Sequence, residues 1–493
     1  MTGPADILRT AARRHPGRIA LITATRTLTY RELDTAAAAV AGGLRDRGIT
    51  PGDVVTLYAP NRWEWLAAYH GVLRAGAIVN PANALLTAEE LRYVTGDCRA
   101  AAVITTSALK ERVEGVRLVV DLDNGGDAVG FADLLDAQPL EPAEVDGAGP
   151  CTIAYTSGTT GHPKGAVQSQ YGVLVNCALT ATMHARREDD VVVTALPLPH
   201  VYGNVAVHST FCAGGTVVLR ERFSPEDVFA AIEAHRATMF EGVPAMYAML
   251  LADPALATAD LSSLTRSTVG GQTIAVTTMR AWQDRSGAPL LQVWGMTELS
   301  GHATTHSPHA PEVLGSIGVA YPGVQIRVAD LGDPARDAPD GVRGELMVRG
   351  PVVMLGYHDR PGATAETIGA DGWLRTGDLG YRDPTGHLFV VDRKKDLIIT
   401  GGYNVYPAEI ERVLAGHPAV AMVAAGPVPD AVKGELACAY VVLRPGETAT
   451  ADELIAFTTP HLAPYKRPRL VRFVDRLPAT PSGKIKRREL AGL

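Results

Sequence analysis

Two lysines stand in settings that suit an anion. Residues 155–167 read YTSGTTGHPKGAV, in which Thr156, Ser157, Gly158, Thr159, Thr160 and Gly161 run together ahead of Lys164. Glycines in such a run let backbone N–H groups turn inward, hydroxyls add adaptable donors, and the lysine adds a point charge, a set that suits a polyphosphate. The spacing excludes a Walker A loop, which needs Gly, four residues, then Gly-Lys-Ser/Thr; here Pro163 precedes the lysine and Gly165 follows it. Taken alone, the run also reads as a polar surface hairpin. The second lysine, Lys484, follows Pro481-Ser482-Gly483 near the C-terminus. If both lysines face one anion, their roles must divide.

The elements that must carry these groups are legible from periodicity. Thr29-Tyr30-Arg31-Glu32 is a capping box, Leu33, Ala37, Val40 and Leu44 recur at helical spacing, and Gly48 stops the helix before the Pro51-Gly52 turn. VVTLYAP then reads as a buried strand, WEWLAAYHGVLRAG as a helix, AIVNP as a strand, and Thr87-Ala88-Glu89-Glu90 as a second box before the strand AAVITT. That alternation predicts βαβ units and a largely parallel sheet. VVVTALPLP, GTVVLRE, a helix begun by Ser224-Pro225 and TMFEGVP continue it. After about residue 315 the texture turns Gly-rich and strand-rich, as in an antiparallel barrel or meander. From about residue 396 the helix PAEIERVLAG and the strands AMVAAGPV and ELACAYVVL predict a small α+β unit. The stretch near residues 122 to 148 and the loop DLGDPARDAPDG are the expected weakly ordered segments.

Composition bounds the function. The 493 residues are 46% hydrophobic and 20% charged, ordinary for a globular chain of two to four compact units. A formal net charge of −7 supplies no excess positive field, so nucleic acid is not an expected partner. The five cysteines are far apart, odd in number and without a CxxC, which indicates neither a disulfide framework nor a zinc knuckle and fits a reducing cytoplasm. No signal peptide and no apolar run of membrane-spanning length is found, so an integral membrane segment is not expected.

Seven segments, TSGTTGHPKG, PLPHVYGN, VWGMTE, GELMVRG, WLRTGDL, DRKKDLIITGGYNVYPAEIE and PSGKI, occur in this order over nearly the whole chain. Together they resemble the adenylate-forming superfamily of acyl-CoA synthetases, luciferases and peptide-synthetase adenylation domains. Met296-Thr297-Glu298 is similar to the acyl-CoA ligase branch. The resemblance implies an α/β fold: a large N-terminal domain, 1–394, of stacked, largely parallel αβ subdomains plus a β-barrel-like subdomain, and a small mobile α+β domain, 395–493, hinged near Lys395. It implies an acid–thiol ligase that joins a small to medium aliphatic or aryl acid to ATP, releases pyrophosphate, and passes the acyl group to CoA. A homodimer is compatible with this reading.

Residue by residue, the resemblance makes Lys484, His200, Thr297 and Glu298 the catalytic set. Glu298 would hold Mg²⁺, with Thr159 beside it, and Thr297 would donate to the nascent adenylate. Thr156 to Gly161 and Lys164 would cradle the β- and γ-phosphates, while Lys484 would reach the carboxylate and the α-phosphate together, where charge develops in the transition state. Gly271, Gln272, Trp294, Gly295 and Met296 would enclose the adenosine. Trp294 stands where the family usually has a stacking Tyr. Asp378 and Arg393 would hold the ribose, a two-acceptor task for a carboxylate. Gly401 and Gly402 would line a pantetheine tunnel, because residues without Cβ let a chain pass close to backbone.

The acyl wall implied by the resemblance comprises Val201, Tyr202, Gly203, Asn204 and His208, then Gly270 to Gln272, then Leu299, Ser300, Gly301 and His302, with His200 gating the carboxylate. Gln272 replaces a frequent Ala and His302 a frequent apolar residue, which points to a shorter or partly polar pocket. No arginine lies in these walls, which disfavours a dicarboxylate. The alternative within the fold is a ligase that loads the phosphopantetheine of an acyl-carrier protein. A luciferase-like second step and, from another class, a non-catalytic nucleotide sensor complete the options; the sensor would require the catalytic lysine to be lost, and Lys484 is present.

Overall fold

The computed structural model describes residues 2–125, 128–156, 163–310, 313–393, 396–400, 403–430, 433–479 and 485–493. Helix starts follow their caps. Thr29 accepts from Glu32 N while the Glu32 carboxylate accepts from Thr29 N at 2.8 Å, opening the helix Tyr30–Asp46. Leu33, Ala37, Val40 and Leu44 form its buried stripe. The same device at Thr87 and Glu90 opens Ala88–Asp97, and each such cap is worth about 1 kcal/mol.

Two sheets make the bulk of the molecule. The first has eight strands, and its parallel part runs through Pro150–Thr156, Ile78–Ala82, Val54–Tyr58, Ala102–Thr105, Leu118–Asp121 and Val129–Gly130. Lys164–Ser169 and then Gly356–Tyr357 add antiparallel strands at one edge. Val54–Tyr58 is buried at every residue, as a parallel strand covered on both faces must be. The second sheet has nine strands, with Leu290–Met296, Arg266–Val269, Met239–Gly242, Val191–Thr194, Thr216–Leu219 and Ile19–Ile22 parallel in that order. Helices Trp63–Arg74, Gln170–Met183 and Val201–Ala213 bury side chains in the core associated with the first sheet.

The segment near residues 122 to 148 is more ordered than its composition suggests. Phe131 and Leu134, on the short helix Phe131–Leu135, are sunk in the main core.

Beyond residue 315, Gln325–Ala329, Gly344–Arg349, Leu374–Arg382 and Leu388–Arg393 form an antiparallel four-stranded sheet. The C-terminal unit is a five-stranded sheet with the helices Pro407–Leu414 and Ala451–Thr458 and its own core around Ile398, Ile410, Val441 and Leu454. Glu409 ties it to the rest: its carboxylate pairs with Arg343, just ahead of the strand Gly344–Arg349, and with Lys466 at 2.8 Å. All five cysteines are free, four are buried, and the fifth, Cys212, is half-buried. Burial pushes the thiols of Cys98, Cys151 and Cys212 up to about 12. No helix among the described residues is long and apolar enough to cross a membrane.

Candidate active site

In open parallel sheets, ligands bind beyond the carboxyl ends of the strands. Four loops leave such ends here: the one after Pro150–Thr156, the His200 loop after Val191–Thr194, Gly270 to Gln272 after Arg266–Val269, and the turn after Leu290–Met296. The last of these carries Thr297 and Glu298 and returns as the antiparallel strand Gly301–Thr305.

That turn is held by backbone economy and one asparagine. Gly295 and Gly301 cross so closely that a Cβ on Gly295 would lie 1.9 Å from the Gly301 carbonyl oxygen. Ser300 and Gly301 both have positive φ, +54° and +137°. Asn176, fully buried on the helix Gln170–Met183, donates to the carbonyls of Leu299 and His302 at 3.2 and 2.8 Å and accepts from His302 N at 3.1 Å. Gln168 donates to the Thr297 carbonyl at 2.9 Å. The turn is thereby fixed to the first sheet.

Glu298 is 7% exposed, and its Oε1 accepts from the Tyr357 hydroxyl at 2.8 Å. Burial, reinforced by the Glu298 charge, pushes the Tyr357 phenol up, so it remains a donor. Lys164 Nζ lies 5.1 Å from the centre of the same tyrosine ring. A cation, an aromatic ring and a carboxylate, two of them foreseen in sequence, thus meet at one edge. Tyr357 was not foreseen; its only sequence signal is a Gly-Tyr pair in MLGYH.

The residues expected on the adenosine side are equally tightly placed. Asp378, 4% exposed, follows Gly377 at φ +71° in a bulge of the strand Leu374–Arg382 held by Thr376, whose hydroxyl accepts from Asp378 N at 3.0 Å and donates to the Leu346 carbonyl at 2.6 Å. Trp294 Nε1 donates to Asp378 Oδ2 at 2.8 Å. Arg393 is the cross-strand partner of Asp378, with Nε 2.8 Å from Oδ1. That ion pair is close but lacks hydrogen-bond alignment, so Oδ1 keeps its acceptor capacity among the described residues.

The helix Val201–Ala213 divides the expected acyl wall into two faces. His200 caps it, its Nδ1 accepting from Tyr202 N at 3.2 Å, which leaves Nε2 as the nitrogen that carries a proton. On one face Val201 and Asn204, with Tyr69, Thr152, Gln168 and Ser300, line a small cavity with room for about one water molecule. On the other, Tyr202 packs with Leu196, Ala206 and Val293 and bonds Thr268 Oγ1 at 2.7 Å. A Cβ on Gly270 would stand 2.4 Å from Val293 Cγ2 and 3.3 Å from the Tyr202 ring, and His302 meets that ring edge-on at 5.1 Å. Gly203 serves close packing, since a Cβ there would lie 2.2 Å from the Pro197 oxygen.

The structure does not bring His208 to this wall: its Nε2 is 3.1 Å from Nε2 of His70 in the core between helices. Gly271 takes φ +87° at the loop after Val269, with the half-buried Gln272 next to it. Gly295 and Met296 close the strand end beside Trp294. Arg186 lies near, but its charge is spent in a fully buried pair with Glu241. Ser157, Gly158, Thr159, Thr160, Gly161, Lys395, Gly401, Gly402 and Lys484 lie outside the described residues; Thr156 ends its strand just before them.

Comparisons with known proteins agree with this geometry. A family model described as AMP-binding enzyme matches residues 8–358, and one described as AMP-binding enzyme C-terminal domain matches 409–484. A feruloyl-CoA synthase of an Amycolatopsis species is 38% identical over 482 residues, covering 97% of this chain and 96% of the relative. A fatty acid–[acyl-carrier-protein] ligase of Streptomyces coeruleorubidus is 33% identical, covering 97% and 94%. The crystal structure of an anthranilate CoA ligase in complex with anthranoyl-AMP superposes with a TM-score of 0.93 at 27% identity, covering 99% of this chain and 96% of that one. The chain belongs to the AMP-binding enzyme family, the adenylate-forming enzymes, in their acyl-CoA ligase branch.

Proposed function

We propose that the chain is an AMP-forming acyl-CoA synthetase for a small to medium aliphatic or aryl acid. The observation that carries this reading is Asp378: a buried carboxylate with an acceptor oxygen to spare, fixed by Trp294 and Arg393. Two vicinal ribose hydroxyls fit such a pair of oxygens. The relatives' acyl-CoA and acyl-AMP names support the same chemistry.

In the first half-reaction the substrate carboxylate attacks the α-phosphorus of ATP and pyrophosphate leaves. Lys164 would neutralise the leaving group together with the hydroxyl loop from Thr156 to Gly161, and Lys484 would meet the carboxylate and α-phosphate. His200, with its proton on Nε2, would donate to the carboxylate, and Thr297 to the adenylate. No cluster of three metal-ligating acids, histidines or cysteines occurs among the described residues. Glu298 would hold a Mg²⁺ brought with ATP, which would supply charge neutralisation there. Gly271, Gln272, Gly295 and Met296 would close around the base.

In the second half-reaction the CoA thiolate attacks the acyl carbon and AMP leaves. Residues 1–394 would form the adenylating domain and 395–493 a domain rotating about Lys395, so that Lys484 withdraws and Gly401 and Gly402 admit pantetheine. Such a rotation must part Glu409 from Arg343. A reducing cytoplasm suits the buried free thiols. The named carrier-protein ligase favours one second reading, in which phosphopantetheine on a carrier protein replaces CoA.

Pyrophosphate release across a panel of acids, followed by AMP and thioester formation with CoA or with carrier protein, tests the proposal. Failure to release pyrophosphate with any acid would overturn it; thioester on the carrier protein alone would favour the second reading.

A further inference from the structure

The hydroxyl run proposed to hold polyphosphate joins the strands Pro150–Thr156 and Lys164–Ser169. Both of its roots are tied to one face of the helix Ala88–Asp97. At the outgoing root, the Tyr155 hydroxyl donates to Asp97 Oδ2 at 2.6 Å. At the returning root, the Tyr93 hydroxyl donates to the Pro163 carbonyl at 3.1 Å. Tyr93 and Asp97 are four residues apart and so lie on the same side of their helix. The strand register pairs Tyr155 with Gly165, where a Cβ would stand 2.7 Å from Ile153 Cγ2 and 3.1 Å from Tyr155 Cζ, so glycine leaves the ring its room.

A third element closes the arrangement. Arg360 donates to Asp97 Oδ1 at 2.8 Å, and the Tyr93 oxygen, then the Asp97 charge, push the guanidinium pKa up and hold it charged. Burial and the bond to Asp97 push the Tyr155 phenol up as well, so it stays a donor. With both oxygens bonded and its side chain 13% exposed, Asp97 joins three elements rather than presenting a charge to solvent. Arg360 comes three residues after Tyr357, which bonds Glu298 and faces Lys164, and between them His358 N donates to the Gly165 carbonyl at 2.8 Å. The strands already pair along their length up to Thr156 and Lys164. Ties at both roots therefore add control over where the ends of the run stand.

We infer that Tyr93 and Asp97, joined by Arg360, are positioning residues for the β- and γ-phosphates of ATP, acting through Pro163 and Tyr155 to preset the run that receives them. The inference rests on the acyl-CoA synthetase reading and deepens it. A run of glycines and small hydroxyl residues has many conformations to lose on meeting a ligand, and fixing both ends removes part of that loss before ATP arrives. ATP carries β- and γ-phosphates and AMP carries neither. Loosening the roots should therefore weaken ATP and spare AMP, whereas a general loss of fold would weaken both.

The probes are α,β-methylene-ATP with Mg²⁺, and AMP, each titrated calorimetrically into the full chain. Tyr93→Phe should weaken the ATP analogue about three- to tenfold, the size of one hydrogen bond, and leave the Kd for AMP within about twofold. Asp97→Ala should do the same, and Asp97→Asn, which keeps an acceptor for Tyr155, should recover most of the loss. In ATP–pyrophosphate exchange with an accepted acid, the KM for pyrophosphate should rise alongside. AMP weakened as much as the analogue, or an analogue Kd unmoved by Tyr93→Phe, overturns the inference and leaves the synthetase reading standing. Unaltered protein that binds neither nucleotide and releases no pyrophosphate with any acid overturns that reading and this inference with it. Should Asp97→Ala not fold, Tyr93→Phe decides alone, because it removes one oxygen and keeps the ring.

Discussion

The indole N–H of Trp294 donates to Oδ2 of Asp378 across 2.8 Å, joining the end of a parallel strand to a bulged antiparallel strand 84 residues later. A tyrosine at this position offers a ring face and a phenol. Tryptophan offers a face and also a donor that orients the carboxylate proposed to hold ribose. Trp294→Phe keeps an aromatic face and removes the donor. KM for ATP should rise about three- to tenfold, near 1 kcal/mol, with KM for the acid little changed. Initial rates at varied ATP and at varied acid separate the two; equal change in both would make Trp294 a packing residue only.

The turn of residues 297–302 depends on its asparagine and glycine. Asn176→Leu strands a buried N–H and two carbonyls, each costing about 1–3 kcal/mol. Gly301→Ala places a Cβ 2.7 Å from Asn176 Oδ1 at φ +137°, with strain of order 1–3 kcal/mol. Both variants should lower the urea midpoint and the adenylation rate together. An adenylation rate that survives the loss of stability would uncouple the turn from the chemistry.

Four buried histidines predict sensitivity to acid. Burial is the leading cause in each: His70 and His184 are held well below the usual histidine value, His208 at about 4 and His302 at about 3. Between pH 6.5 and these values the unfolded chain binds the protons, so stability is full above about 6.5 and falls as pH drops. The slope is up to about 1.4 kcal/mol per pH unit for each histidine. Asp392, raised to about 6 by burial, works the other way but is one group against four. Urea unfolding at pH 7, 6 and 5 should show a falling midpoint; a flat profile would mean that these histidines titrate normally.

The two proposed roles of the C-terminal unit separate kinetically. Lys484→Ala should slow adenylate formation by on the order of 10² or more and leave thioester formation from supplied adenylate nearly intact. Lys395→Pro should do the reverse, since proline fixes φ and removes the rotation a hinge requires. Timing each half-reaction alone checks both, and equal loss of both steps in the Lys484 variant would refute the division of labour.

The fold was legible because its signals are local. Capping boxes and apolar periods announce helices and strands from a few neighbouring residues. What escaped the sequence depends on distant strands. Tyr357 reaches Glu298 only because Gly356–Tyr357 pairs with the edge strand at Ala166 and Val167. Asn176 is one polar residue in an apolar helix until the hairpin it clamps is known. His208 falls out of the acyl wall although it shares a helix stripe with Val201 and Asn204: one turn further along, its ring meets Tyr69 and His70 in the core, and sequence spacing cannot say where along a stripe the cavity ends.

The buried cysteines carry a practical consequence. An enzyme handling a thiol co-substrate would be exposed to mixed disulfides wherever its own thiolates were reachable, and four of the five cysteines here are out of reach, with Cys212 held as a thiol by its high pKa. The native background is therefore quiet toward maleimides and disulfide reagents. Single cysteines engineered onto each side of the proposed hinge could carry a fluorophore pair without stripping the natural ones, and the swing between half-reactions would be watched directly in the otherwise unaltered enzyme.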